Sequence, residues 1–166
     1  MRLKDRVAVI TGAGSGIGRA TALKFAHEGA KIVVAELNED HGHRVVDEII
    51  SWGIEATFIR TDVAVFGDVQ AAVDLAAEKY GRLDIMFNNA GIGVNKPLLD
   101  HDPADYDRVV KVNQYGVFHG ILAAGRKMRD LETHGVIINT ASVFAFLASP
   151  GVIGYHASKG AVKMMT

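Results

Sequence analysis

The chain has 166 residues, of which 49% are hydrophobic and 22% are charged, a length and a balance that suit a single globular domain over residues 1–166. Its 18 basic and 19 acidic side chains form no long run of one sign, which excludes the charge pattern of proteins that bind nucleic acid or an anionic membrane surface. The chain has no cysteine, which excludes disulfide and thiol chemistry, and no apolar run is long enough for a signal or membrane-spanning segment. We therefore expect a cytoplasmic protein.

Short apolar runs alternate along the chain with longer segments of helical spacing, a pattern typical of βαβ units around a parallel sheet. In chain order, this pattern predicts a strand over 7–11, a helix over 17–27, a strand over 31–35, a helix over 39–52, a strand over 56–60 and a helix over 69–80. A strand over 83–88, a long helical region over 103–129, a strand over 136–140 and a helix that begins near Gly154 follow.

Two of the predicted strands are apolar without alternation, at 31–35 and 136–138, which predicts that helices cover both faces of the sheet. Right-handed connections between parallel strands then give a doubly wound α/β fold, in which ligands bind beyond the carboxyl ends of the strands. Segments rich in glycine or polar residues follow the predicted strands at 12–18, Glu36, Asp62, 89–91 and Ser142. We expect these segments to line one site.

Four glycines, at positions 12, 14, 16 and 18, stand between the first predicted strand and its helix. Glycine lets the backbone turn tightly and approach a phosphate, toward which the first amides of the helix point. No placement of Gly-x-Gly-x-x-Gly fits, but the segment matches Thr-Gly-x-x-x-Gly-x-Gly through Thr11, Gly12, Gly16 and Gly18. In this motif the chain resembles the short-chain dehydrogenase/reductase family. A glycine-rich turn that binds nothing is the alternative interpretation.

The resemblance implies a Rossmann-like fold that binds NAD or NADP, with Ile17 and the four motif residues Thr11, Gly12, Gly16 and Gly18 at the cofactor. Two further segments match the family. Asp62 and Val63 follow the third predicted strand, and the resemblance implies that they contact the adenine.

The segment Asn89-Ala90-Gly91 follows the fourth predicted strand, and the resemblance implies that it lies beside the cofactor. Small side chains at positions 90 and 91 would let the ribose and the ring approach the backbone. The alternative is that Asn88 and Asn89 are turn residues with local hydrogen bonds.

Glu36 follows the second predicted strand, where an acidic side chain accepts hydrogen bonds from the adenosine ribose hydroxyls of NAD. The doubly charged 2′-phosphate of NADP would meet this carboxylate at a cost of about 2 kcal/mol if the groups lie about 4 Å apart in water. Neither Ser15 nor Leu37, where NADP-dependent relatives often have a basic side chain, supplies a positive charge. The sequence therefore predicts NAD as the cofactor; a solvated glutamate at a helix entry is the alternative.

Tyr155 and Lys159 are four residues apart, so on a helix they share one face and the ammonium lies near the phenol oxygen. A nearby cation favours the phenolate, and does so more strongly in a partly closed site than in water. The resemblance implies that Tyr155 exchanges the substrate proton, that Lys159 assists it and holds the nicotinamide ribose, and that Ser142 binds the substrate oxygen. It also implies that Asn113 supports a water relay to Lys159. Ser142 as a strand-end turn residue and Asn113 as an ordinary polar helix residue are the alternatives.

The histidines predict no metal site. His41 and His43 are two residues apart on a predicted helix and do not share a face, and the chain has neither cysteine nor a His-Glu-x-x-His pattern. His156 adjoins Tyr155 in sequence but points about 100° around the helix. Ala141-Ser142-Val143 is not the nucleophile elbow of a hydrolase. We interpret these histidines as solvated or interface residues.

Together, the residues predict an NAD-dependent oxidoreductase that transfers a hydride between NAD(H) and a secondary alcohol or ketone, with Tyr155 as the general acid and base. Apolar residues flank the expected pocket and favour an apolar substrate, unless they are core residues: Val94, Leu98, Val143, Phe144, Phe146 and Leu147. The resemblance also implies a homodimer or homotetramer, formed through the helix over 105–129 and the helix of Tyr155.

Members of the family continue beyond the helix of Tyr155 with two further strands and a segment that covers the substrate, so we expect the domain to be incomplete at its C-terminal end. Three explanations stay open. The chain is part of a longer polypeptide, or it is a catalytically silent NAD(H)-binding or oligomerisation module, or another subunit completes it.

Overall fold

Five parallel strands form one sheet in the computed structural model, which describes residues 1–166. The strands are β1 (Val7–Thr11), β2 (Lys31–Glu36), β3 (Ala56–Arg60), β4 (Ile85–Asn88) and β5 (Val136–Asn139). The helices are α1 (Gly16–His27), α2 (Glu39–Ser51), α3 (Phe66–Tyr80), α4 (Pro103–Val110), α5 (Gly116–Asp130) and α6 (Ile153–Met165). The strand order is β3-β2-β1-β4-β5, which confirms the predicted doubly wound sheet. In such a sheet the order reverses between β1 and β4, and ligands bind beyond the carboxyl ends of these strands.

Two apolar clusters of 14 buried residues each pack on opposite faces of the sheet. Alternate residues of β1 divide between them, because successive side chains of a strand point to opposite faces: Val7 and Val9 join one cluster, Ala8 and Ile10 the other. The first cluster is closed by α3 and α5, and the second by α1 and α2. These layers fix the ends of the strands from which the site is built.

The last strand, β5, departs from the prediction that helices cover both faces of the sheet. Val136 and Ile138 are 53% and 41% exposed, whereas Ile137 packs against the cluster under α3 and α5. Val136 and Ile138 continue the face of β4 that joins the other cluster, but α1 and α2 pack on β1, β2 and β3 and do not reach this far. The prediction was therefore wrong for one face of β5.

Several boundaries differ from those predicted. β2 is one residue longer and ends at Glu36, which pairs with Arg60 of β3, while β4 begins later and α3 begins earlier than predicted. The long helical region is not continuous, because Lys111–Tyr115 forms a π-helical turn between α4 and α5. A turn of this length is too short to be recognised from hydrophobic spacing. The longest helices have 15 residues, and none is long and apolar enough to cross a bilayer.

Candidate active site

A cleft of about 650 Å³ opens at the carboxyl edge of the sheet. Its walls come from the segments that follow all five strands, together with α4–α5 and α6. The lining residues are Gly12, Ser15, Gly16, Ile17, Glu36, Leu37, Thr61, Asp62, Val63, Asn89, Ala90, Gly91, Ile92, Gly93, Val112, Thr140, Tyr155 and Lys159. The structure thus brings together most of the residues that the sequence predicted for cofactor binding. The volume falls in the range of small-molecule and cofactor sites.

The glycine-rich loop after β1 leaves backbone donors free at one side of the cleft. Gly12 and Gly16 have φ values of +62° and +50°, a left-handed conformation that glycine adopts without strain. Ser15 precedes α1 with extended backbone, and its side chain makes no capping hydrogen bond. The first amides of α1 therefore lack both an intrahelical acceptor and a side-chain cap. Such a helix start is suited to bind an anion.

Thr11 and Gly18 lie behind the cleft and shape it without lining it. Thr11 is buried, and its hydroxyl oxygen accepts hydrogen bonds from the amides of Asn89 at 3.0 Å and Ala90 at 3.1 Å. A Cβ at Gly18 would lie 2.1 Å from the carbonyl oxygen of Gly12. Only glycine at position 18 therefore lets α1 pack directly on the loop.

The carboxylate of Glu36 is fixed at the edge of the glycine-rich loop. Its Oε2 accepts a hydrogen bond from the Gly14 amide at 2.9 Å, and its Oε1 accepts from the amides of Leu37 and Asn38 at 2.9 and 3.0 Å. The neighbouring lining residues Ser15 and Leu37 are uncharged. This side of the cleft therefore presents a fixed negative charge.

The turn after β3 offers one unpaired amide to the cleft. The amide of Asp62 donates to the Asp68 carboxylate, the amide of Ala64 donates to Asp62 Oδ1, and the amide of Val65 donates to the Asp62 carbonyl. The amide of Val63 has no acceptor within the chain. Asp62 and Val63 thus place an acceptor, Oδ2 of Asp62, beside a free N–H donor.

Asn88 and Asn89, at the end of β4, make long-range hydrogen bonds, in contrast to the turn interpretation. Asn89 Nδ2 donates to the Thr11 carbonyl at 3.1 Å, and Asn89 Oδ1 accepts from the Thr140 hydroxyl at 3.4 Å. Asn88 Nδ2 donates to Asn139 Oδ1 on β5 at 2.9 Å. These amides tie the loop after β4 to the segments that follow β1 and β5.

The two small residues that follow Asn89, Ala90 and Gly91, lie in close contact with neighbouring groups. A Cβ at Gly12 would lie 2.9 Å from Cα of Ala90. A Cβ at Gly91 would lie 3.4 Å from Asn113 Oδ1 and 3.7 Å from Lys159 Nζ. The floor of the cleft is therefore backbone, and Gly91 lies at the end occupied by Lys159.

Tyr155 and Lys159 lie together on α6 at the opposite end of the cleft from Asp62. Lys159 Nζ is 5.6 Å from the centre of the Tyr155 ring and donates a hydrogen bond to the Thr140 carbonyl at 2.6 Å. Lys159 is only 2% exposed and forms no ion pair, and burial lowers the pKa of its ammonium below the ordinary value. The Tyr155 hydroxyl makes no hydrogen bond within the chain, and its ring meets Phe144 edge-on at 6.2 Å. The phenol oxygen is thus available to a bound molecule.

Ser142 and Asn113 do not line this cleft. Ser142 begins the short 3₁₀ turn Val143–Ala145, and its Oγ accepts a hydrogen bond from the Phe144 amide at 3.2 Å. Phe144 in turn contacts Tyr155, which connects Ser142 to the same end of the site.

Asn113 lies in the π-helical turn and is fully buried. Its amide group holds both the N–H and the carbonyl of Ile92, at 2.8 and 2.9 Å, and also donates to Ser158 Oγ at 3.2 Å. Asn113 therefore connects the loop after β4 to α6, directly behind Lys159. Both polar atoms of the Asn113 side chain are hydrogen-bonded, and its role in a water relay stays a prediction.

Sequence reasoning missed Thr140, Ile92 and Ser158 as parts of the site. Thr140 supplies the carbonyl that holds Lys159, Ile92 is the backbone group that Asn113 binds, and Ser158 links Asn113 to α6. The position of Thr140 at the end of a predicted strand was the available signal. The sequence does not indicate which backbone groups, such as those of Ile92, take part in a site.

Comparison with known proteins identifies the family of the chain. The model of the short chain dehydrogenase family matches residues 6–166. A solved short chain dehydrogenase/reductase from Burkholderia phymatum, in complex with NAD, is 41% identical with a TM-score of 0.95, covering 99% of this chain and 59% of that one.

Two curated relatives are dehydrogenases. Cyclopentanol dehydrogenase of Comamonas testosteroni is 36% identical over 165 residues, which cover 99% of this chain and 66% of that protein. Secoisolariciresinol dehydrogenase of Forsythia intermedia is 41% identical over 167 residues, which cover 99% of this chain and 59% of that protein. The chain thus spans roughly three fifths to two thirds of the length of these relatives. Since the family model covers nearly the whole chain and the fold and motifs agree with it, the chain belongs to the short-chain dehydrogenase family.

Proposed function

We propose that the cleft binds NAD(H) and that the protein transfers a hydride between this cofactor and a secondary alcohol or ketone. The observation that carries the proposal is the arrangement of two chemistries in one cleft. Free helix amides and a fixed carboxylate lie at one side, and the Tyr155 and Lys159 pair lies at the other. A dinucleotide is the ligand class that would span both.

The donor set of the cleft fits NAD(H). The uncapped first turn of α1 suits the pyrophosphate, and the Glu36 carboxylate suits the ribose hydroxyls. The free Val63 amide and the free Oδ2 of Asp62 suit the ring nitrogen and amino group of adenine. No basic residue lines the cleft beside Glu36, where a 2′-phosphate would meet the carboxylate, and this supports NAD over NADP. The NAD complex of the Burkholderia phymatum relative is consistent with this assignment.

When bound, NAD supplies the hydride acceptor at C4 of its nicotinamide. Tyr155 accepts the proton of the substrate hydroxyl as the carbon loses its hydride, and returns a proton in the reverse reaction. Lys159 stabilises the phenolate, and since Thr140 takes only one of its three N–H donors, the others remain for the ribose and for Tyr155. Ser142 Oγ accepts from the Phe144 amide, which leaves its own O–H to orient the substrate oxygen. The Asn113 side chain holds the backbone of Ile92, next to the expected water relay to Lys159.

A second candidate function is NAD(H) binding without turnover. The observation that favours it is the open substrate side of the site, where Val143, Phe146 and Leu147 are 60%, 68% and 61% exposed. Apolar side chains at this level of exposure leave a substrate poorly enclosed. The relatives cyclopentanol dehydrogenase and secoisolariciresinol dehydrogenase favour the catalytic candidate.

The proposal includes self-association through the helical region over 105–129 and through α6. Tyr106 on α4, Tyr115 in the π-helical turn and Phe118 on α5 are 40%, 51% and 46% exposed, and aromatic side chains are enriched at protein interfaces. We expect light scattering to give a dimer or tetramer, and a monomer at high concentration would contradict this part of the proposal.

Oxidation of a panel of secondary alcohols by NAD at alkaline pH tests the proposed function. We expect NADH formation with at least one cyclic or aromatic alcohol, and a loss of about 100-fold or more in turnover for Tyr155→Phe with NADH binding retained. NADH binding without turnover of any alcohol would favour the second candidate. Turnover of Tyr155→Phe near that of the wild type would contradict the role of Tyr155.

A further inference from the structure

Val63 is held from two directions by α5 and lines the cleft. Its carbonyl oxygen lies 2.9 Å from His119 Nδ1. Its side chain packs over Gly116, where an added Cβ would lie 2.8 Å from Val63 Cγ2. Val63 is only 6% exposed, and its N–H is the one amide of residues 61–65 without an acceptor in the chain. The orientation of this free donor is therefore set by contacts with α5.

The contact between His119 and Val63 has a defined donor. A carbonyl oxygen only accepts hydrogen bonds, so His119 Nδ1 carries the hydrogen. The imidazole ring is itself fixed, because it meets the Phe66 ring edge-on at 5.5 Å and lies 6.1 Å from the rings of Tyr115 and Phe118. His119 does not line the cleft. Its polar contact with the site is the carbonyl of Val63.

We propose that His119 is a positioning residue for the adenine end of the nucleotide. By donating to the Val63 carbonyl, it restricts rotation of this residue and aims the free N–H into the cleft. Beside that N–H, Asp62 keeps Oδ2 free as an acceptor, so the pair matches a ring nitrogen next to an amino group. The inference rests on the proposed function, because it requires a nucleotide in the cleft.

Two substitutions separate the hydrogen bond from the packing of the ring. His119→Phe keeps an aromatic ring against Phe66 but has no donor. His119→Asn loses the ring, but its Nδ2 lies at the same branch as Nδ1 of histidine and can donate to Val63. Each variant and the wild type are titrated calorimetrically with ADP-ribose and with nicotinamide mononucleotide, and thermal melts identify any variant that does not fold. His119→Leu serves as a second donor-free variant if His119→Phe does not fold.

We expect the donor-free variants to bind ADP-ribose about five- to tenfold more weakly than the wild type, which corresponds to the loss of one hydrogen bond. His119→Asn should retain most of the ADP-ribose affinity, and nicotinamide mononucleotide should bind all variants alike. Wild-type affinity for ADP-ribose in His119→Phe, or an equal loss for both ligands, would overturn the role of His119. If the wild type itself bound neither ADP-ribose nor NADH, the proposed function would fail, and this inference with it.

Discussion

Lys159 illustrates how the role proposed for a single side chain comes at a cost to the fold. Its ammonium is almost completely buried, and its hydrogen-bond partner is the neutral carbonyl of Thr140, not a carboxylate. Burial therefore lowers the pKa of Lys159, because the charged form loses solvation. The same exclusion of water strengthens the effect of this cation on the phenol oxygen of Tyr155. The residue is thus better placed to serve a reaction than to stabilise the domain.

Replacement of Lys159 by methionine tests this interpretation. Lys159→Met keeps the length of the side chain and removes the charge, so we expect turnover to fall by about 100-fold or more and the remaining activity to require higher pH. Since burial lowers the folded pKa of Lys159 below the ordinary value, the desolvation cost is fully present below the folded pKa and is relieved as pH rises toward the ordinary pKa of lysine. The melting temperature of Lys159→Met at neutral pH should therefore equal or exceed that of the wild type. A large fall in melting temperature would show that Lys159 is mainly structural.

At the level of single residues, the sequence predicted those whose chemistry is unusual. The spacing of Tyr155 and Lys159 indicates that they share one helical face. The glycines at 12, 16 and 18 indicate a tight backbone turn that can approach a phosphate. Thr140 and His119 could not be recognised, because each acts on a backbone group whose position depends on the fold. The free N–H of Val63 could be identified only from the hydrogen bonds of its neighbours.

Among the elements, the π-helical turn Lys111–Tyr115 joins two parts of the site, the loop after β4 and α6. It carries Asn113, whose side chain binds both backbone groups of Ile92 in the loop after β4 and the hydroxyl of Ser158 on α6. Ile92 lines the cleft, and Ser158 precedes Lys159. The turn therefore holds the loop after β4 and α6 at a fixed separation.

Asn113→Leu should weaken the fold and the site together. The substitution leaves the amide and carbonyl of Ile92 without partners, and unpaired buried groups cost about 1–3 kcal/mol each. We expect urea unfolding to show a loss of at least about 2 kcal/mol in the free energy of unfolding, with weaker NADH binding. A stability within about 0.5 kcal/mol of the wild type would contradict the joining role of Asn113.

The elements that the sequence predicted well are those with a strong periodic or compositional signal. β1 and β3 have the predicted bounds, because glycine or polar residues flank each strand; β1 is fully buried, whereas β3 is buried only at Ala56. The π-helical turn and the open face of β5 were not predicted. Both depend on which elements pack against them, which local periodicity does not record.

In the whole molecule, the residues that stabilise the fold and the residues of the proposed site lie at opposite edges of the sheet. The cleft lies at the carboxyl edge, whereas Asp84 lies just before β4 at the opposite edge. The Asp84 carboxylate is 4% exposed and accepts hydrogen bonds from Arg82, Arg6 and the Val7 amide at 2.6–3.0 Å. Burial raises the pKa of Asp84, but the hydrogen bonds from Arg82, Val7 and Arg6 outweigh it and hold the pKa below its ordinary value.

Asp84→Asn should destabilise the domain without affecting nucleotide binding. The loss of charge-assisted hydrogen bonds should lower the free energy of unfolding by about 2 kcal/mol at pH 7. Because the folded pKa of Asp84 is lowered, its contribution is present above the ordinary pKa of about 4 and is lost as pH falls through the folded value. The difference between wild type and variant should therefore shrink in acid, as urea unfolding at several pH values will show. A change in NADH affinity would contradict the separation of the two edges.

The measurement that bears most directly on the whole account is a fluorescence titration of this chain with NADH, with NADPH in parallel. We predict saturable binding of NADH and binding of NADPH that is weaker by at least about tenfold, because the 2′-phosphate meets the fixed carboxylate of Glu36. The absence of saturable NADH binding would contradict the assignment of the cleft, and NADPH binding as tight as that of NADH would contradict the role of Glu36.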